Sequence, residues 1–229
     1  MKKLIAMGLT VIMTAVAVCG CGSSDSGNDA KKSDNQTKQQ AVKVIDVDLT
    51  SEEYAFGVDK NKPELLTQVN DFIKEIKDNG TFDEICNKYF GGGNPTPVKS
   101  EKLDTSKDQL LVATNASFEP FEYMKGDSYY GIDMEIAAAL AKKLNKELVI
   151  QNMEFDSVCL SVGQHKSDIA MTGLTIKEDR KKYVNFTDPY YNAAQRLIVK
   201  GDSTEFDNCK DKAAIEKILK TKDKSVTIG

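Results

Sequence analysis

The stretch Asp168 to Tyr191, DIAMTGLTIKEDRKKYVNFTDPYY, holds residues able to grip a carboxylate. Thr175 followed three residues later by Glu178 has capping-box spacing. It predicts a helix start over Lys177–Lys182, just beyond a short buried strand, Ile169–Thr172. The free N–H groups of a helix start attract anions. Gly173 allows close approach to the backbone, Thr175 offers a hydroxyl, and Arg180 could fork both oxygens of one carboxylate. On pattern alone, the same residues also suit a plain cap with a solvated arginine. Arginine usage adds weight to the ligand reading: of 31 lysines and arginines only Arg180 and Arg196 are arginine, the residue suited to planar, two-pronged recognition.

Other chemistry finds little support. His165, the only histidine, sits in a polar turn, Gly163-Gln164-His165-Lys166, and reads as solvated rather than as a general base. Cys86, Cys159 and Cys209 have no C-x-x-C spacing, so they imply neither a metal site nor a disulfide framework and read as mostly buried thiols. No catalytic residue, metal site or cofactor is expected.

Residues 1–20 read as a secretory leader: Lys2 and Lys3, an apolar run from Leu4 to Val18, then small residues before Cys21. The leader resembles that of bacterial lipoproteins, which implies Cys21 as the lipidated residue and a lipid bilayer as anchor, on the extracytoplasmic face of the cell membrane. Residues 21–40 are Ser, Asp, Gly, Asn, Lys and Gln almost throughout, the composition of a flexible linker. Formal net charge is −4, and −6 without Lys2 and Lys3, which argues against nucleic acid as a partner.

From Leu110 onward strands and helices alternate. Leu110–Thr114 and Glu147–Gln151 read as strands around a helix, Ile132–Asn145, with Ile136, Leu140 and Leu144 on one stripe. Asp156–Gly163 follows as a short helix, then strands Ile169–Thr172 and Gln195–Lys200, helix Lys210–Lys220 and a strand-like Ser225–Ile228. The class is α/β with a mainly parallel sheet. Ligands of such sheets sit beyond the carboxyl ends of the strands, where Asn115 to Phe121, Phe155 and the Gly173 corner all fall.

Four segments in this order resemble the family 3 extracellular solute-binding proteins, the amino-acid receptors of ABC importers. They are Phe118-Glu119-Pro120-Phe121-Glu122, Gly131-Ile132-Asp133-Met134-Glu135-Ile136, the stretch Thr175 to Arg180, and Phe186-Thr187-Asp188-Pro189-Tyr190-Tyr191. The resemblance implies a two-lobed fold like type II periplasmic binding proteins, a free amino acid as ligand and an ABC transporter permease as partner. It implies that Gly173 N–H, Thr175 and Arg180 hold the ligand carboxylate, that Phe118 and Phe155 are apolar walls, and that Thr172 contacts the ligand. Asn115 stands where members that read a cationic group often have an acid, which speaks against a strongly cationic ligand. Two other readings are a dehydratase-type enzyme on the same scaffold, with Glu119 or Glu122 as its acid or base, and a lipoprotein with a signalling or structural role that binds nothing.

Residues 41–98 resemble the end of that family, yet come first here: Glu53-Tyr54-Ala55-Phe56-Gly57-Val58, a helix from Pro63 to Lys77, and Gly80-Thr81-Phe82-Asp83 leading to Tyr89-Phe90. Circular permutation is the simplest account. The segment would complete lobe 1, whose ligand-binding core is residues 99–194, with Gly91-Gly92-Gly93 in the new connection. Residues 195–229 would be only part of lobe 2, leaving lobe 1 essentially complete, lobe 2 incomplete, and ligand binding by the chain weak.

Overall fold

The computed structural model describes residues 41–223, 225 and 226. The leader, Cys21, the linker and Ile228 lie outside the described residues. Val42–Val44 (β1), Glu52–Tyr54 (β2) and Gly57–Asp59 (β3) come first, followed by helices Pro63–Asp78 (α1) and Thr81–Phe90 (α2). Pro63 opens α1, where its fixed φ and missing N–H cost nothing. Leu65, Val69, Phe72, Ile73 and Ile76 recur at helical spacing and form its buried face.

The next strands are Gln109–Thr114 (β4), Ser117–Phe118 (β5), Glu122–Lys125 (β6) and Ser128–Tyr130 (β7). Then come Ile132–Lys143 (α3), Glu147–Asn152 (β8), Phe155–Gly163 (α4) and Ile169–Ala170 (β9). A single 3-10 turn at Arg180–Lys182 precedes Val184–Phe186 (β10), Tyr191–Ala193 (β11), Ile198–Lys200 (β12) and Lys212–Leu219 (α5).

A five-stranded sheet in the order β10-β3-β9-β4-β8 carries the main core. The sheet is more mixed than expected. β4 runs parallel to β8 and β9, but β3 inserts antiparallel between β9 and β10. Helices α1 and α2 share one core with α3 and β4, in which Phe72, Ile73, Leu110, Ile136 and Leu140 are all buried. Residues 57–90 are thus integral to the same packed body as β4 and α3.

Two further pairings, β2 with β11 and β1 with β12, form antiparallel connections to a small second core around Ile45, Val47, Phe206 and Ile215. Ser225 and Val226 are not in a strand. Val226 is exposed, and its N–H donates to Asp223 O in a turn.

Candidate ligand-binding site

Beyond the carboxyl ends of β4, β8 and β9 lies an open cavity of about 270 Å³. Five of the residues singled out from sequence line it: Asn115, Phe118, Phe155, Thr172 and Gly173. Thr175 and Arg180 do not. Arg180 lies against the cavity's Phe155 wall, its guanidinium carbon 5.0 Å from the ring centroid, and its Nη1 donates to Thr175 O at 2.8 Å. Among the described residues its Nε and Nη2 groups meet no acceptor.

The corner itself differs from the expected helix start. Leu174–Ile176 is held in extended form against β2: Ala55 N–H donates to Leu174 O, Ile176 N–H donates to Glu53 O, and Tyr54 bridges Thr175. The Thr175 hydroxyl donates to Glu52 Oε2 at 3.0 Å instead of capping. The only helical turn is the 3-10 turn at Arg180, capped by Asp179, whose side chain accepts from Arg180 N–H. The run Lys177–Lys182 has no apolar face to bury, and so short a helix nucleates poorly without one. Tertiary pairing with β2 therefore prevails over the local capping signal.

Gly173 shows a second departure. Its N–H, assigned by resemblance to the ligand, donates inward to Asp133 Oδ2 at 2.8 Å. Its φ of +51° suits glycine, and an added Cβ would stand 3.0 Å from the Phe118 ring.

Asn115 is committed within the protein. Its Nδ2 donates to Met153 O at 2.8 Å, its Oδ1 accepts from Ser117 Oγ, and its N–H donates to Thr172 Oγ1. The Thr172 hydroxyl passes on to Glu122 Oε1 at 2.8 Å. Phe118 and Phe155 keep 44% and 40% of their surface exposed, enough to offer a ligand two apolar faces. Phe118 stacks on Phe121 with centroids 5.6 Å apart, and Phe121 meets the Tyr54 ring edge-on at 5.2 Å.

Tyr54, Ser117 and Glu122 complete the lining; Tyr54 and Ser117 were not anticipated, and Glu122 entered only as a candidate acid or base of the enzyme reading. Position in the chain hid Tyr54, which arrives from β2, some sixty residues before Asn115. Glu122, on β6, is 1% exposed.

Glu122 belongs to a buried carboxyl pair. Asp133, fully buried at the start of α3, accepts from Tyr190 Oη at 2.6 Å on Oδ1 and from Gly173 N–H on Oδ2. Glu122 Oε2 meets no hydrogen-bond partner among the described residues, and the Asp133 carboxyl is its electrostatic neighbour. Two adjacent carboxylates without a cation would repel in a dry interior. The arrangement calls for one proton: Glu122 is the neutral acid and Asp133, with two donors, the carboxylate. Burial, then the neighbouring Asp133, pushes Glu122 far above the ordinary carboxyl range, and burial also raises Asp133.

A group whose folded-state pKa is raised gives stability that is fully present below its unfolded pKa and lost as pH rises toward the folded value. Stability should therefore decline above about pH 4.3, the unperturbed Glu range. Glu122→Gln keeps the shape without an ionisable proton. At pH 8 the variant is expected to be at least about 1 kcal/mol more stable relative to wild type than at pH 5, a differential shift of roughly 2–4 °C in melting temperature. Parallel melting curves at the two pH values check this.

The profile of the bacterial extracellular solute-binding proteins, family 3, matches residues 10–92 and 110–228. The chain belongs to that family. It is 39% identical over 100 residues to the arginine-binding extracellular protein ArtP of Bacillus subtilis, covering 44% of this chain and 39% of ArtP. Over 112 residues it is 32% identical to a probable ABC transporter arginine-binding protein, ArtJ, of Chlamydia trachomatis, covering 47% and 43% of the two chains. The chain thus spans about two fifths of the length of these relatives. Among solved structures, it matches the arginine-bound domain 1 of TmArgBP at 32% identity, covering 52% of this chain and 98% of that one, with a TM-score of 0.37. The fold class is the α/β type of periplasmic-binding-protein type II domains.

Proposed function

We propose that this chain is an extracytoplasmic lipoprotein that binds a free amino acid with a basic side chain and presents it to the permease of an ABC importer, without turnover. The observation that carries the reading is the cavity. Two exposed aromatic rings line it, Arg180 lies against one of them with unspent N–H groups, and Glu122 supplies a buried carboxyl. A guanidinium suits a ligand carboxylate, and aromatic faces with a carboxyl suit a planar cationic side chain. The names of the arginine-binding relatives support the same class. Asn115 loses its weight against a cation, since its amide is committed to Met153 and Ser117 and the acidic group comes from Glu122 instead.

In this reading Thr175 and Arg180 meet the ligand carboxylate when the ligand draws them toward the cavity, and Thr172 and Gly173 form the wall beside it. Residues 1–20 are the leader, Cys21 carries the lipid, and residues 21–40 tether the protein to the bilayer. Residues 41–98 are the permuted end of the family, supported by the packing of α1 and α2 against α3; residues 99–194 are the rest of lobe 1 and residues 195–229 part of lobe 2. The test is a panel of L-amino acids titrated into protein lacking residues 1–40. Saturable binding of arginine or lysine, stronger than that of glutamine, leucine or glutamate, is expected; preference for an acidic amino acid would overturn the reading.

A further inference from the structure

The carboxyl pair bears on how a cation could be received. Glu122 lines the cavity, Asp133 lies behind it, and the two are embedded among Thr172 Oγ1, Tyr190 Oη and Gly173 N–H. Every partner is a neutral donor. No lysine or arginine among the described residues pairs with either carboxyl; the nearby acid Glu135 on α3 takes Lys88 and Tyr89 for itself.

With one proton between them, the two carboxyls carry a net charge of −1. Adding a cationic side chain beside a retained proton would leave Glu122 a neutral partner, whereas a carboxylate gives a much stronger, charge-assisted contact. Losing the proton without gaining a cation would leave two unpaired buried charges. Exchanging the proton for the ligand's cation keeps the buried charge at −1 and turns Glu122 into a carboxylate at the moment a cation arrives.

We propose that a cationic ligand side chain is bound at Glu122 by proton exchange, the Glu122–Asp133 pair releasing one proton to solvent for each cation taken up. The proposal rests on the reading of the cavity as a site for a basic amino acid. Glu122 is then the residue that sets preference for a cation over a neutral isostere, and Asp133 a positioning residue that holds Gly173 and Tyr190 while sharing the proton. The proton leaves Glu122 Oε2 for water, and both Glu122 oxygens accept from the side-chain N–H groups of the ligand and from Thr172.

The other titratable groups facing the pair do not supply the proton. They are Tyr54 from β2, Cys86 from α2 and Tyr190 ahead of β11. Burial raises all three, Cys86 to about 12, so they stay protonated at neutral pH.

The decisive comparison is L-arginine against L-citrulline, which has the same shape and the same α-amino and α-carboxyl groups but a neutral side chain. Dissociation constants measured by NMR titration between about pH 7.5 and 8.5, above the value of about 7 to which burial raises Asp133, are expected to fall about tenfold per pH unit for arginine, the slope of one released proton, and to stay flat for citrulline. Glu122→Gln should flatten the arginine slope, since no ionisable proton remains at that position to exchange. Arginine binding with no slope, or an arginine slope that survives in Glu122→Gln, would overturn proton exchange and leave amino-acid binding standing. Failure of both ligands to bind at any pH would instead overturn the function on which the proposal rests. The arginine–citrulline comparison in the wild-type chain needs no variant to fold.

Discussion

Gly131→Ala is expected to abolish cooperative folding. Gly131 precedes α3 with φ 124° and ψ 162°, a conformation closed to residues with a side chain, and an added Cβ would stand 2.0 Å from the Phe121 carbonyl oxygen. Backbone strain alone costs about 1–3 kcal/mol, and backbone overlap adds more, so a loss above 3 kcal/mol is expected. The loop and the helix cannot separate cheaply, since Asp133 N–H donates to Phe121 O, Ile132 N–H to Pro120 O, and Gly131 N–H to Tyr89 Oη. Gly126→Ala is the control. Gly126 also has a positive φ, 58°, but nothing lies within 4 Å of its added Cβ, so only about 1 kcal/mol should be lost. Urea unfolding of the two variants separates close packing from backbone conformation.

Arg180→Ala is expected to reduce amino-acid affinity by at least about 30-fold. A guanidinium that meets a ligand carboxylate against an apolar wall is worth roughly 2–5 kcal/mol when its partner is desolvated, and each 1.4 kcal/mol is tenfold. Arg180→Lys should rescue little, because a point charge cannot fork a carboxylate or lie flat on Phe155. Fold stability should hardly change, since the Arg180 side chain makes one hydrogen bond, to Thr175 O, and no ion pair among the described residues. A loss of affinity with an unchanged melting temperature identifies a ligand contact; loss of both would make Arg180 a structural residue.

Sequence pattern carried the parts of the fold in which local and tertiary forces agree. The apolar stripes of α1 and α3 and the hydrophobic run of β4 allow one conformation each, and they form where the periodicity places them. Agreement broke at Thr175 and Glu178, where a capping pattern lost to pairing with a strand more than a hundred residues earlier. No local signal announces such a partner. The mixed sheet was hidden for a similar reason, since the insertion of β3 between β9 and β10 is a contact between distant segments.

Within the site, the placing of Phe118 and Phe155 beside a cavity was legible through the family resemblance. Glu122 was not. Its place in the Phe118 to Glu122 segment does not show its burial, and only the folded chain shows Asp133, Thr172 and Tyr190 converging on the same buried space. A buried acid is recognisable by its partners, and those partners come from three other segments.

The most direct test of the central claim is a residue-resolved NMR titration of the chain, without residues 1–40, with L-arginine. Amide shifts concentrated at Asn115, Phe118, Phe155, Thr172 to Thr175 and Arg180, and absent in Arg180→Ala, are expected. Saturation with shifts confined to other surfaces, or no shift at any of these residues at millimolar arginine, would contradict the assignment of the cavity as the amino-acid site.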